Sequence, residues 1–200
     1  MTDQQSLRVL PSADVDPRAS LGAGTTVWHL AQVREHAVVG DGCVIGRGAY
    51  IDAGVRVGDR SKIQNYALVY APARLGEGVF VGPAAVLTND TYPRSVDPDG
   101  ERKIAGDWEA RGVLVGDGAS IGAQAVVLAG VTIGRWALVG AAAVVTRDVP
   151  DHGLVVGSPA RRVGWVGPAG TPLQHAGAGR WTCPREGRTY EERDGALVEL

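Results

Sequence analysis

The chain has 200 residues, enough for one domain with a sizeable core. Its 20 Lys and Arg against 22 Asp and Glu give a formal net charge of -2 with no long run of either sign, which argues against nucleic acid or an anionic membrane as partner. A single Phe stands beside 29 Gly, and Val and Ala supply most of the apolar content, so the core must be narrow and built by repetition.

The opening stretch, MTDQQSLRVLPSADVD, has no basic segment followed by an apolar run, and no segment approaches about eighteen consecutive apolar residues, so neither a signal peptide nor membrane insertion is expected. Residues 1–8 read as a flexible N-terminus. The two cysteines, Cys43 and Cys183, lie far apart and offer no disulfide framework, which fits a reducing cytoplasm.

From Val9 onward every sixth residue is aliphatic: Val15, Leu21, Val27, Val33, Val39, Ile45, Ile51, Val57, Ile63, Val69, Leu75, Val81 and Leu87 follow without a miss. Four places after each, from Ala13 through Cys43 to Ala85, stands a small or β-branched residue. A second run, Val115, Ile121, Val127, Ile133, Val139 and Val145, repeats the style. A period of six keeps no single face of a helix or coiled coil apolar. A flat strand would keep it, but more than eighty residues is far too long for one. The chain must therefore turn a corner every six residues. Three short faces close a triangular coil of about eighteen residues, with its aliphatic side chains stacked inside and glycine easing the corners. The expected fold is an all-β parallel β-helix over 9–166, with twenty hexads making roughly six to seven coils.

The period breaks between Leu87 and Val115, which are 28 residues apart, and the segment 88–112 reads as a polar loop extruded from the solenoid. Loops of this length in a compact repeat are usually functional or disordered. Asn89 at its root offers both a donor and an acceptor, Tyr92 and Trp108 can stack, and Arg94 can hold a carboxylate or phosphate in bidentate fashion. After the second run GSPARRVG ends the solenoid, and 167–200 reads as an appendage with a β-hairpin turning at Asp194 and Gly195.

These patterns resemble the hexapeptide-repeat acyltransferases, whose fold is a left-handed parallel β-helix. TNDTYPRS at the loop root and GSPARRVG at the solenoid's end, within a similarity over nearly the whole chain, resemble the N-acetyltransferases that modify UDP-2-acetamido-3-amino-2,3-dideoxy-glucuronate. The resemblance implies acetyl-CoA as cosubstrate, a nucleotide-linked amino sugar as acceptor, a homotrimer with sites between subunits, and Asn89 as the residue that positions the sugar's 3-amino group. It further points to Gln64, Asn65 and Tyr70 around the sugar nucleotide, Arg94 or Lys103 against a uronic carboxylate, and Pro159, Arg161 and Arg162 at the adenine and phosphates of CoA. Many relatives use a histidine as general base. None of His29, His36, His152 and His175 falls in the second run of hexads, so direct attack by the amine is expected, with His29, His36 or Asp90 as the alternative base. The appendage resembles a zinc knuckle that has lost its pairing: Cys183 stands alone, Glu186 occupies the place of a second cysteine, and no metal is expected. A dTDP-linked acceptor, a zinc carbonic anhydrase and a noncatalytic scaffold remain as the other readings.

Overall fold

The computed structural model describes residues 6–104 and 106–200. Each hexad becomes a two-residue strand followed by a corner, as in Arg8–Val9, Asp14–Val15 and Ser20–Leu21. Strands so short have no stability alone, and each is held by the strand of the next coil, eighteen residues on where the repeat is unbroken: Val9 pairs with Val27, Val15 with Val33 and Leu21 with Val39, all in parallel register. The result is a left-handed parallel β-helix with three flat faces. The first face ends at Gly153–Val156, where Val155 still pairs with Val139 in parallel, so the stack holds seven full coils and the start of an eighth. It outruns the six to seven expected from hexads because pairing continues past the last strict repeat. The expected flexible segment 1–8 lies mostly outside the described residues, and Arg8 already belongs to the first strand.

The aliphatic residue of each strand points inward. Val27, Ile45, Ile63, Val81, Ile121 and Val139 form one continuous buried column, and two similar columns line the other faces. Burying each such side chain contributes about 1.5–3 kcal/mol relative to leaving it in water. Polar side chains that enter the interior are satisfied by neighbouring coils. Thr25 Oγ1 donates to the Gly40 carbonyl at 2.7 Å and accepts from the Cys43 amide at 2.9 Å.

The corners differ from expectation in one respect. Positive φ recurs every six residues, yet many of these positions are not glycine: Leu30, Tyr66 and Trp136 sit at φ 61°, 60° and 56°. An L-residue there costs roughly 1–2 kcal/mol. Coil-to-coil bonds override that cost, since the amides of Tyr66 and Trp136 donate to the carbonyls of Arg47 and Asp117, each at 2.9 Å. Glycine is required one coil below, where a Cβ on Gly48 would lie 2.5 Å from the Tyr66 ring and one on Gly118 2.2 Å from the Trp136 ring.

Beyond the solenoid the chain turns back antiparallel as Arg161–Trp165 and then forms a four-stranded antiparallel sheet. The expected hairpin is its last pair, Thr189–Arg193 and Ala196–Glu199, turning at Asp194 and Gly195 with φ 50° and 77°. The other two strands, Gln174–Gly177 and Arg180–Thr182, correct the simpler expectation. They are short and mostly exposed, so they carry no apolar alternation to read. Trp165, Leu173, Cys183, Tyr190 and Leu197 form a separate core there.

Glu192 docks this sheet on the solenoid's end. It accepts from Trp165 Nε1 at 2.9 Å and from both terminal nitrogens of Arg162 at 3.1 Å. The Trp165 hydrogen bond, then the Arg162 bond and charge, hold its carboxyl below the usual glutamate range. A depressed native pKa stabilises above the unfolded value, about 4.3, and that stabilisation is lost as the pH falls through the native value. Tryptophan fluorescence is therefore expected to report loosening of the appendage in acid, and Glu192→Gln to show part of this change already at neutral pH.

Candidate active site

The loop leaves and rejoins the prism at one corner, between the second and third faces. Leu75 pairs with Val115, forty residues on instead of eighteen, so the loop adds twenty-two residues to a single coil. Its ends are stitched together: the Arg111 amide donates to the Asn89 carbonyl at 2.8 Å, and the Gly130 amide to the Arg111 carbonyl at 3.1 Å.

Asn89 is half-buried at this root, and its Nδ2 donates to the Ala71 carbonyl, one coil back, at 2.6 Å. The same residue's amide is held from the other side. Asp52 Oδ2 accepts the Ala71 N–H at 3.0 Å, while its Oδ1 accepts from the Ala53 amide and the Tyr50 hydroxyl, both at 2.8 Å. Arg34 completes the chain at 3.4 Å from Asp52. Burial raises the pKa of Asp52, but the Ala71 and Ala53 amides, the Tyr50 hydroxyl and the Arg34 charge outweigh it and hold the carboxyl below its ordinary value. Asp52 is thus a fixed anion, and the backbone at Ala71 is clamped on both sides. Asn89 Oδ1 makes no hydrogen bond among the described residues, so its acceptor side is free.

Beside this root the loop encloses a cavity of about 410 Å³ walled by Asp90, Tyr92, Lys103, Asp107, Trp108, Glu109 and Arg111. Lys103, named from sequence as a partner for a uronic carboxylate, is one of these walls. Tyr70 lies on the Asn89 corner, its ring 5.5 Å from that of Tyr50. Arg94 is exposed on the loop, with its guanidinium bonded to the Pro93 carbonyl at 3.0 Å. Gln64 and Asn65 are not brought to this place. They occupy the corner between the first and second faces, where Gln64 lines a separate groove of about 300 Å³ with Trp28 and Arg47. Asn65 Oδ1 accepts the Arg47 amide at 2.9 Å, the same coil-to-coil bond that Asp41 and Asp59 make at 2.8 and 2.9 Å.

Of the residues expected at CoA, Pro159 follows a cis bond in the turn that precedes Arg161–Trp165. Arg161 donates to the Ala160 carbonyl at 2.9 Å. The Arg162 guanidinium is committed within the chain, stacked 4.1 Å over Trp165 and paired with Glu192. The histidines are dispersed. His29 Nδ1 lies 2.7 Å from the Ser12 hydroxyl, His152 Nδ1 donates to the Val166 carbonyl at 3.0 Å, and His175 packs on Trp181. His36 shares the Asn89 corner but lies two coils before the one that holds Ala71, on the order of 10 Å away at one strand spacing per coil. Asp90 Oδ1 is occupied by the Tyr92 amide at 2.8 Å.

Asp52, Ala71 and Arg111 were not singled out from sequence. Ala71 was accessible, because it lies eighteen residues before Asn89 and so stacks beneath it. Among the described residues no three or more His, Cys, Asp or Glu side chains converge as a metal site, and Cys183 is buried in the appendage core. Nor is any described helix long and apolar enough to cross a membrane.

A six-residue solenoid with one extruded polar loop defines a hexapeptide-type transferase scaffold. Residues 18–53 and 112–147 match the bacterial transferase hexapeptide family (six repeats), and 36–71 match the hexapeptide repeat of succinyl-transferase. Nodulation protein L of Rhizobium meliloti is 39% identical over 147 residues, which span 72% of this chain and 78% of that protein. A variant of perosamine N-acetyltransferase from Caulobacter crescentus, solved with CoA and GDP-perosamine, superimposes with a TM-score of 0.51 at 31% identity, covering 80% of this chain and 58% of that one. The dTDP-3-amino-3,6-dideoxy-alpha-D-galactopyranose 3-N-acetyltransferase of Aneurinibacillus thermoaerophilus is 34% identical over 87 residues, 44% of each chain. The chain belongs to the hexapeptide-repeat acyltransferase family.

Proposed function

We propose that the protein is an acetyl-CoA-dependent N-acetyltransferase acting on the amino group of a nucleotide-linked sugar. The observation that carries this reading is Asn89, whose Nδ2 is fixed on Ala71 while its Oδ1 makes no hydrogen bond among the described residues, one residue before Asp90 of the loop cavity. An amine that donates one N–H to that oxygen has its lone pair set by geometry and not by chance encounter. Such orientation supplies much of the acceleration when the partner is already a reactive thioester. The nitrogen attacks the carbonyl carbon, the C–N bond forms, and the C–S bond breaks with its electron pair leaving on sulfur. The surplus amine proton passes to the departing thiolate or to solvent, because a carboxamide is too weak a base to take it.

The acceptor proposed first is UDP-2-acetamido-3-amino-2,3-dideoxy-glucuronate, with Lys103 and Arg111 in the cavity wall as partners for its carboxylate. A dTDP-linked 3-amino-dideoxyhexose is the second reading. It is favoured by the cavity's Asp90, Asp107 and Glu109, which outnumber the two cations and suit a sugar bearing an amine and no acid. The similarity to the dTDP-sugar enzyme supports it as well. Asp52 holds the Ala71 backbone in either case. A homotrimer is proposed too, supported by the half-exposed apolar residues Tyr50, Leu68, Val86, Val126 and Val144 that follow one another up the second face. A cytoplasmic location is proposed as well, supported by the use of acetyl-CoA in this reading.

Thiol release from acetyl-CoA, measured with UDP- and dTDP-linked 3-amino sugars in parallel, is expected to show turnover with one nucleotide series. CoA binding without turnover on any amino sugar would redirect the acceptor search, and absence of CoA binding would favour a scaffold.

A further inference from the structure

The third face carries a groove of about 500 Å³ that crosses four coils and is lined by Arg56, Arg74, Leu114, Thr132 and, at its far end, Arg135 and Asp151. Arg56, Arg74, Leu114 and Thr132 are the outward residues of successive strands on that face and lie in strict register. Two arginines paired across adjacent strands stand about 4.8 Å apart at the backbone. Like charges directly opposite one another destabilise a sheet. Some guanidiniums of the protein meet carboxylates, as Arg18 does Asp16, Arg60 Glu77 and Arg135 Asp117, while others such as Arg47 and Arg111 make no ion pair among the described residues. Arg56 and Arg74 make neither an ion pair nor a side-chain hydrogen bond among the described residues, and their neighbours up and down the face are Leu114 and Val38. The arrangement suits a ligand with two adjacent acidic groups and a carbon skeleton that runs on along an apolar strip.

Beyond its strands the groove is lined at the corner between the third and first faces, by Gly76, Gly116, Gly134 and Arg135, while the strands' other ends follow the loop corner closely in sequence. Arg74 follows Ala71, the residue that holds Asn89, by three residues, which is at most about 11 Å of extended chain. Leu114 follows Arg111, which walls the loop cavity, by the same three.

We infer that Arg56 and Arg74 bind the diphosphate of the nucleotide-sugar acceptor, so that the acceptor bends round one corner with its amine at Asn89 and its nucleotide on the third face. This rests on the acetyltransferase reading above and extends it to two residues that no comparison assigns. CoA offers the same diphosphate chemistry. The acceptor is favoured because the pair lies on the N-terminal side of the loop, while the groove beyond Leu114 leads toward the C-terminal coils and stays open for the donor's long arm.

Calorimetric titration of UDP, dTDP, GDP and CoA into the wild type and into the Arg56→Gln/Arg74→Gln double variant tests the inference. Both side chains are exposed on the outer surface, and thermal unfolding of the variant checks that it is folded. The wild type is expected to bind at least one of the nucleoside diphosphates. The double variant should weaken that binding tenfold or more, with CoA affinity within twofold, and the loss should grow as salt is lowered. Unchanged nucleotide affinity in the variant overturns the inference and leaves the enzyme reading intact. A loss confined to CoA also overturns it, because the pair would then belong to the donor. If the wild type binds CoA but none of the three nucleotides, the nucleotide-sugar reading falls together with the inference, and this shows before any variant is made.

Discussion

Asn89→Ala is expected to lower the turnover of acetyl transfer by on the order of a hundredfold while CoA affinity stays nearly unchanged. Two things are lost at once. The Oδ1 acceptor that orients the amine disappears, and small misplacements of a reacting group cost roughly that factor. The Nδ2 bond to Ala71 is also lost, which removes about 0.5–1.5 kcal/mol from the loop root and lets the chain between Asn89 and Arg111 shift. Asn89→Asp separates the two effects. A carboxylate keeps an acceptor for the amine but cannot donate to the Ala71 carbonyl, and the two oxygens repel. Single-turnover rates measured with saturating acetyl-CoA should place Asn89→Asp between wild type and Asn89→Ala if orientation dominates. Equal rates in the two variants would show that anchoring to Ala71 is what matters. Wild-type turnover in Asn89→Ala would remove Asn89 from the mechanism.

Ile121→Ala is expected to destabilise the protein by about 2–5 kcal/mol, toward the upper end, and to lower the Tm by roughly 10 °C. Ile121 is 0% exposed and sits between Val81 and Val139 in the central column. The cost of such a cavity depends on how far the surroundings can close over it, and here they cannot close. The corners on either side are already at contact, since a Cβ on Gly82 or on Gly122 would meet the amide nitrogen of the next coil at 2.5 Å. Because each coil contacts only its neighbours, the gap weakens the solenoid next to the loop and acts through the stack. Ser120→Ala, the outward neighbour on the same strand, should stay within about 0.5 kcal/mol. Urea or thermal melts of the two variants side by side check the contrast, and similar losses in both would disprove the ladder as the source.

Most of the prism was legible because its physics is local and repeated. An aliphatic residue every sixth place, with a small one four places later, can be buried only by a chain that turns at each hexad, and the break at Leu87 marks the loop directly. The loop's return was legible too, since the hexad resumes with Val113 buried in its proper place. What went unread was stacking at a distance of eighteen. Asn89 was singled out from its motif, and Gln64 and Asn65 were named with it although they belong to a different corner. The appendage's first two strands escaped because their backbone bonds are made without an apolar pattern.

The six-residue period therefore determined the solenoid and the position of the loop, because core burial repeats along the chain and leaves its mark in residue type. Only the tertiary structure decided which polar residues share a corner. It committed Arg162 to Glu192 and Asn65 to the Arg47 amide, clamped Ala71 between Asp52 and Asn89, and gave Arg56 and Arg74 no partner among the described residues. Hydrogen bonds and charges at corners depend on which coils meet in space and on which groups are already paired, and residue type along the chain does not encode that pairing.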